Sequence, residues 1–187
     1  WYIFPFQLCS TPLYVLPFVI FVKNEKVRKF FISYMMTFSL FGGLAVYAYP
    51  NDVFTSTTVI NFQTMIHHGL QIVLGIFLVT VYKKEYDLKY FAKGILVFAG
   101  LSILALILNI SFYHIFQHLG YDDTFNMFFV SPYFDCTLPV LSAIYPKVPY
   151  IAFLLIYNIG FAIVSLIVYS IQKLIIKLSI KKVKYEN

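Results

Sequence analysis

Long apolar runs separated by short polar gaps set the rhythm of this chain. The runs cover residues 2–22, 30–49, 62–82, 91–113 and 148–171. Each is close to the 20 or so residues that a helix needs to cross a hydrocarbon core of roughly 30 Å. The runs are continuous rather than alternating, which argues against an outer-membrane barrel. The pattern predicts an all-α, polytopic transmembrane helical bundle, a single domain over residues 1–187 with five spans and a basic tail over 172–187. The chain opens at Trp1, already inside an apolar run and with no recognisable signal peptide, so a further N-terminal segment is expected ahead of it.

Composition supports the pattern. The chain is 60% hydrophobic and only 12% charged, with a mean hydropathy of +0.80, whereas a soluble domain carries about 25% charged residues. The placement of the basic residues then orients the spans. Lys23, Lys26, Arg28 and Lys29 fill the first gap, and the second has none. Lys83, Lys84, Lys89 and Lys93 fill the third, and the fourth has only Lys147. The tail carries Lys173, Lys177, Lys181, Lys182 and Lys184. By the positive-inside rule, gaps one and three and the tail are cytoplasmic, and the chain as given starts outside. The expected location is the cell membrane, multi-pass. The +6 net charge is not a nucleic-acid footprint, because the lysines flank apolar helix ends where they meet anionic headgroups. Membrane phospholipids are therefore the expected partners.

The stretch from Thr124 to Ile144 is apolar enough to suggest a sixth span. Pro132, Asp135 and Pro139 would be costly at mid-bilayer, and a span here would turn the lysine-rich tail outward. It is read as an interfacial or partly re-entrant segment.

Polar groups inside apolar runs mark candidate chemistry, because lipid penalises them. Cys9 lies about seven residues into the first run, roughly 10 Å deep if helical. His67 and His68 lie five or six residues into the third, roughly 8–9 Å deep from the same face. Asn109, Gln7, Gln63 and Gln71 reach that layer as well, with Asn158 somewhat deeper. A cysteine beside a histidine can act as nucleophile and base. Blander readings stay open. Cys9 could be a small apolar filler, or could pair with Cys136 on the same side. The adjacent histidines lack the i, i+4 spacing of helical metal ligands. His114 and His118 have that spacing but suit headgroup contact as well. Neither a metal nor a cofactor is called for. Gly42-Gly43 and Gly160 with Ala162 read as helix-packing residues.

Several short motifs carry a family resemblance. Phe4-Pro5-Phe6-Gln7-Leu8-Cys9-Ser10 resembles the "L-P-L-H-x-C" helix of the bacterial YwaF family of integral membrane proteins, which are similar to the transmembrane protein 164 acyltransferases of animals. Gln63 through Gly69 resembles that family's helix with a "hydrophobic-x-His-Gly" core. Asn126-Met127-Phe128, with Asp135 through Tyr150, resembles its "N-Y-M-F … L-L-D … G-P-W-P-W-Y" segment. Gln7 stands where the family has histidine, and Pro146-Lys147-Val148-Pro149 is a divergent G-P-W-P. The resemblance implies a six- or seven-helix protein, with one or two helices ahead of Trp1. It implies phospholipid acyl transfer through a cysteine and a histidine. Carried over by motif, the nucleophile falls on Cys9 and the base on His68, or on His67 if the spacing differs. Thr11 is a weaker alternative nucleophile. Gln7, Gln63, Asn109 and Asn126 are the candidate substrate-binding residues. The competing classes are a small-molecule binding or transport protein, of the importer substrate-binding type, and a non-catalytic membrane factor.

Overall fold

A computed structural model describes residues 6–50, 53–122 and 125–185, with side chains described through Ser179. Trp1–Pro5, Asp52, Asp123, Thr124 and the side chains of Lys181, Lys182 and Lys184 lie outside the described residues. Among the described residues the chain is helical, with no strand. Among the described residues four helices are long and apolar enough to cross a membrane: α2 (Glu25–Ala48), α3 (Thr58–Tyr82), α4 (Leu88–Leu119) and α6 (Tyr150–Tyr185). The short helices are α1 (Pro12–Phe21) and α5 (Leu141–Ile144).

The first apolar run is therefore not one span within the described residues. Its helix has 10 residues, about 15 Å long. The reason is local. Gln7 to Thr11 form a turn in which Ser10 N–H and Thr11 N–H both donate to the Gln7 carbonyl, at 3.0 and 3.1 Å. Pro12 then occupies the helix start, where its missing N–H costs nothing. Hydropathy counts apolar residues and does not see this turn.

Helices α2 and α4 start ahead of their apolar stretches, each at a polar cap. The Asn24 side chain accepts from Lys26 N–H at 3.0 Å and starts α2 ahead of Phe30. The Asp87 carboxylate accepts from Tyr90 N–H at 2.7 Å and starts α4 ahead of Phe91. α4 continues to Leu119, where Gly120 takes the left-handed conformation (φ 73°). The basic tail is not a separate segment either, since α6 runs unbroken from Tyr150 to Tyr185.

Helix α2 is the hub. It packs most heavily on α3 and α4, and every residue from Ile32 to Leu40 is buried. Within it Met35–Ser39 winds as a π-helix, a form that frees backbone carbonyls and tends to sit at functional places. The Met36 carbonyl in this stretch accepts from Gln172 Nε2 of α6 at 2.8 Å. In lipid, packing and interhelical hydrogen bonds hold helices together, because the surrounding tails are as apolar as the side chains. The outward residues such as Ile66, Val73, Ile103 and Ile163 accordingly stay exposed.

The three basic regions meet at one end of the bundle. Lys29 ion-pairs with Glu85 at 2.5 Å. Lys173 Nζ donates to the Tyr86 carbonyl at 2.8 Å, and Lys93 lies over the Phe30 and Tyr90 rings. At the lysine-poor end the described part of the segment following α4 does not cross the bundle. It folds inward, with Met127, Phe128, Val130 and Ser131 at most 2% exposed, and carries two 3₁₀ turns (Met127–Phe129 and Tyr145–Lys147) and α5. Its described part forms no membrane-crossing helix, as Pro132, Asp135 and Pro139 led one to expect.

Candidate functional site

Three pieces of chain converge at the lysine-poor end: the Gln7–Thr11 turn, the middle of α3 and the inward-folded segment. Cys9 sits in the turn rather than inside a helix. Its carbonyl accepts a very short hydrogen bond from Gln71 Nε2, and His67 Nε2 lies 3.0 Å from the same carbonyl. Gln71 Nε2 and His67 Nε2 are 2.7 Å apart. Residues i and i+4 on α3 thus grip the cysteine backbone together, as their shared helix face allows. The two cysteines, Cys9 and the buried Cys136, are both free thiols.

His68 is held differently. Its Nδ1 lies 2.6 Å from the Thr64 carbonyl one turn earlier, so that nitrogen carries the proton. Its Nε2 is then a bare lone pair, buried and without a hydrogen-bond partner, in a residue only 4% exposed. The His67 and His68 rings meet edge to face at 5.1 Å between centroids. Of the two histidines, His67 touches the cysteine turn, and His68, the next residue on the helix, has an unpaired buried ring nitrogen.

Two adjacent glycines on α2 make the convergence feasible. A Cβ on Gly43 would come within 2.8 Å of the His68 carbonyl, and a Cβ on Gly42 within 3.4 Å of Cys9 Cα. Gly43 therefore lets α3 close on α2, and Gly42 leaves room for the cysteine turn. The packing role read from Gly42-Gly43 is the one they have, and it falls at the site itself. Thr11 is fully buried with its hydroxyl engaged: it donates to the Leu8 carbonyl at 2.7 Å and pairs with Tyr34 OH at 2.5 Å. That double engagement makes it a strut for the turn.

The remaining candidates form the wall. Gln7 Nε2 donates to the Asn126 carbonyl at 2.8 Å and ties the cysteine turn to the inward segment. Asn126 Nδ2 donates to the Asp135 carbonyl at 3.1 Å, and its Oδ1 accepts from Ser131 N–H at 3.0 Å. Asn109, fully buried, brackets Met127 by donating to its carbonyl at 3.0 Å and accepting from its N–H at 2.8 Å. Gln63 is exposed on α3. Phe128 takes φ 56° and Phe129 φ 56°, a left-handed pair of bulky residues that costs roughly 1–2 kcal/mol each. Phe128 is nonetheless fully buried against the Phe6 and Phe98 rings. Strain of this kind is held only where the surroundings over-determine it, commonly at functional sites.

Gln71 is the residue whose part the sequence showed least. It shares the polar layer, but only its i+4 relation to His67 could have singled it out. His114 instead pairs with Tyr133 OH at 3.0 Å. No group of three or more His, Cys, Asp or Glu side chains placed to hold a metal occurs among the described residues.

The sequence model of the TMEM164 family matches residues 1–173, and the chain belongs to that family. No curated protein and no solved structure matches the chain. Family membership and the long apolar helices together make it a multi-pass membrane protein.

Proposed function

We propose that the chain is a lipid acyltransferase that moves a fatty acyl group between phospholipids or lysophospholipids, with Cys9 as nucleophile and His68 as base. One observation carries the reading. A thiol-bearing turn is gripped through its backbone by His67 and Gln71 of α3, and the residue after His67 on that helix is a buried imidazole whose Nδ1 is anchored on Thr64 and whose Nε2 has no partner. Nucleophile, base and a third group orienting the base form the recurring arrangement of covalent catalysis. His67 and Gln71 position the cysteine turn.

In the reaction, His68 Nε2 takes the thiol proton and the thiolate attacks the ester carbonyl. The carbonyl–oxygen ester bond breaks, the departing lysolipid alkoxide takes the proton from His68, and an acyl-thioester remains on Cys9. A second lysolipid hydroxyl, deprotonated by the same histidine, attacks the thioester and regenerates the thiol. Water in its place would give hydrolysis. Gln7, Asn109 and Asn126 shape the wall of the site, and exposed Gln63 is placed to meet a headgroup. The shallow position of the pair suits an ester near the headgroup boundary of the outer leaflet of a cell membrane, with the lysine-rich face cytoplasmic.

The test is acyl exchange between labelled phospholipid and lysophospholipid in proteoliposomes. Cys9→Ala is expected to abolish exchange while circular dichroism and gel filtration stay unchanged. Undiminished exchange in that variant would sink the assignment.

A further inference from the structure

We propose that a groove at the opposite end of the bundle, between α2, α3 and α6, binds an anionic phospholipid from the leaflet at the lysine-rich face. The groove encloses about 660 Å³, and its walls are apolar, among them Leu40, Ile72, Ile76, Val168 and Ile175. It runs along α3 from Ile72 to Lys83, eleven helical steps or roughly 16 Å. That is about half of a roughly 30 Å hydrocarbon core, the depth of one leaflet. A single acyl chain fits that length, starting at the bundle middle and ending at the headgroup level.

The polar end fits the other half of such a lipid. Lys83 closes the groove and also lines a shallower pocket beside it, together with Lys173 and Lys177. Lys173 and Lys177 are one helical turn apart, so they share a face of α6. None of the three is in an ion pair among the described residues. Lys173 gives one N–H to the Tyr86 carbonyl and keeps two more. Thr80 and Ser179 add hydroxyls to the lining. An apolar slot of leaflet depth that ends in three ammonium groups is complementary to an acyl chain bearing an anionic phosphate headgroup. Charge favours an anionic headgroup over a zwitterionic one, because nearby lysines attract net negative charge. No wall residue belongs to the Cys9 site, so this proposal stands independently of the acyl-transfer reading.

The experiment uses the full chain in phosphatidylcholine vesicles. Ile175→Trp, in a Trp1→Phe background, places the sole tryptophan in the groove wall, and Ile163→Trp places one on the exposed face. Quenching is titrated with dibrominated phosphatidylglycerol and with dibrominated phosphatidylcholine. At Ile175→Trp the anionic lipid should show an apparent affinity about fivefold higher or more. The same ratio should be near one at Ile163→Trp. Combining Lys83→Gln, Lys173→Gln and Lys177→Gln should bring the Ile175→Trp ratio to near one, and Arg at the three positions should keep it. Equal quenching by both lipids with the lysines intact would overturn the proposal, whatever the variants do. So would a preference that survives loss of all three charges. Absence of quenching at Ile175→Trp by either lipid would mean that protein fills the groove, and would overturn it as well.

Discussion

The two ends of the bundle handle buried polar groups in opposite ways. At the lysine-rich end, contacts close in a chain. Tyr86 OH donates to Gln172 Oε1 at 2.7 Å, Gln172 Nε2 donates to the Met36 carbonyl, and Lys173 caps the Tyr86 carbonyl. Ser33 Oγ donates to the Phe91 carbonyl at 3.3 Å and accepts from Gly94 N–H at 3.1 Å. Among the described residues Tyr90 OH is left buried and unpaired there, and Ser39 Oγ, Asn158 Oδ1 and Ser165 Oγ are unpaired singly along α2 and α6. At the lysine-poor end, Gln7 Oε1, His68 Nε2 and Gln71 Oε1 are all buried without partners around one turn of chain. Each costs on the order of 1–3 kcal/mol, and the left-handed Phe128 and Phe129 add strain beside them. One end is a staple that stabilises the bundle. The other carries unused hydrogen-bonding capacity, which a reacting group can take up.

That contrast can be broken or sharpened by substitution. The largest effect is expected at His68. His68→Ala should lower acyl transfer by about 10²–10⁴-fold, as for loss of a general base, alongside the moderate loss of thermal stability in detergent that emptying a buried ring's place brings. A large fall in stability with little fall in activity would make His68 structural. Next is Gly43→Ala. Its Cβ would press on the His68 backbone carbonyl, so a loss of about 1–3 kcal/mol is expected for overpacking, with activity falling alongside. Gly42→Ala tests the same wall more gently, because 3.4 Å from Cys9 Cα is near ordinary contact. It should cost less than about 1 kcal/mol while still shifting KM or kcat through the cysteine turn. At the staple, Gln172→Ala orphans the Met36 carbonyl and should cost about 1–3 kcal/mol of stability, read by thermal unfolding. The rate per folded molecule should stay unchanged. A rate effect there would mean that the two ends are coupled through α2. The smallest effect is expected for Lys29→Gln, which removes an exposed ion pair with Glu85 and should leave Tm within error.

How much of this was legible in the sequence differs between the same two ends. The four long spans were readable because lipid imposes length and apolarity on any helix that crosses it. The inward segment was readable because Pro132, Asp135 and Pro139 make a helical crossing there costly. The gathering of the basic gaps was readable from the lysine count, and Lys29–Glu85 and Lys173–Tyr86 are its structural form. The shortness of α1 was not readable, because it depends on backbone bonds within Gln7–Thr11 that apolarity does not encode. The π-helical turn in α2 was hidden, and so was the bond its Met36 carbonyl accepts from Gln172, a residue 136 positions away. At the candidate site, Cys9, His67 and His68 were legible as costly groups at one depth. Their different roles were not, because those depend on which ring nitrogen the Thr64 carbonyl takes. Gln71 was underweighted because a lone glutamine in an apolar run gives no sign of the backbone carbonyl it will meet.

The central claim is that Cys9 carries the acyl group. Proteoliposomes incubated with a phospholipid bearing an alkyne-tagged acyl chain, quenched in acid and analysed by intact-mass and peptide mass spectrometry, test it directly. The predicted result is a hydroxylamine-labile acyl adduct on the peptide containing Cys9, absent in Cys9→Ala and discharged by added lysophospholipid. Acyl exchange that proceeds at the wild-type rate in Cys9→Ala, with no adduct on Cys9 in the wild-type chain, would contradict it.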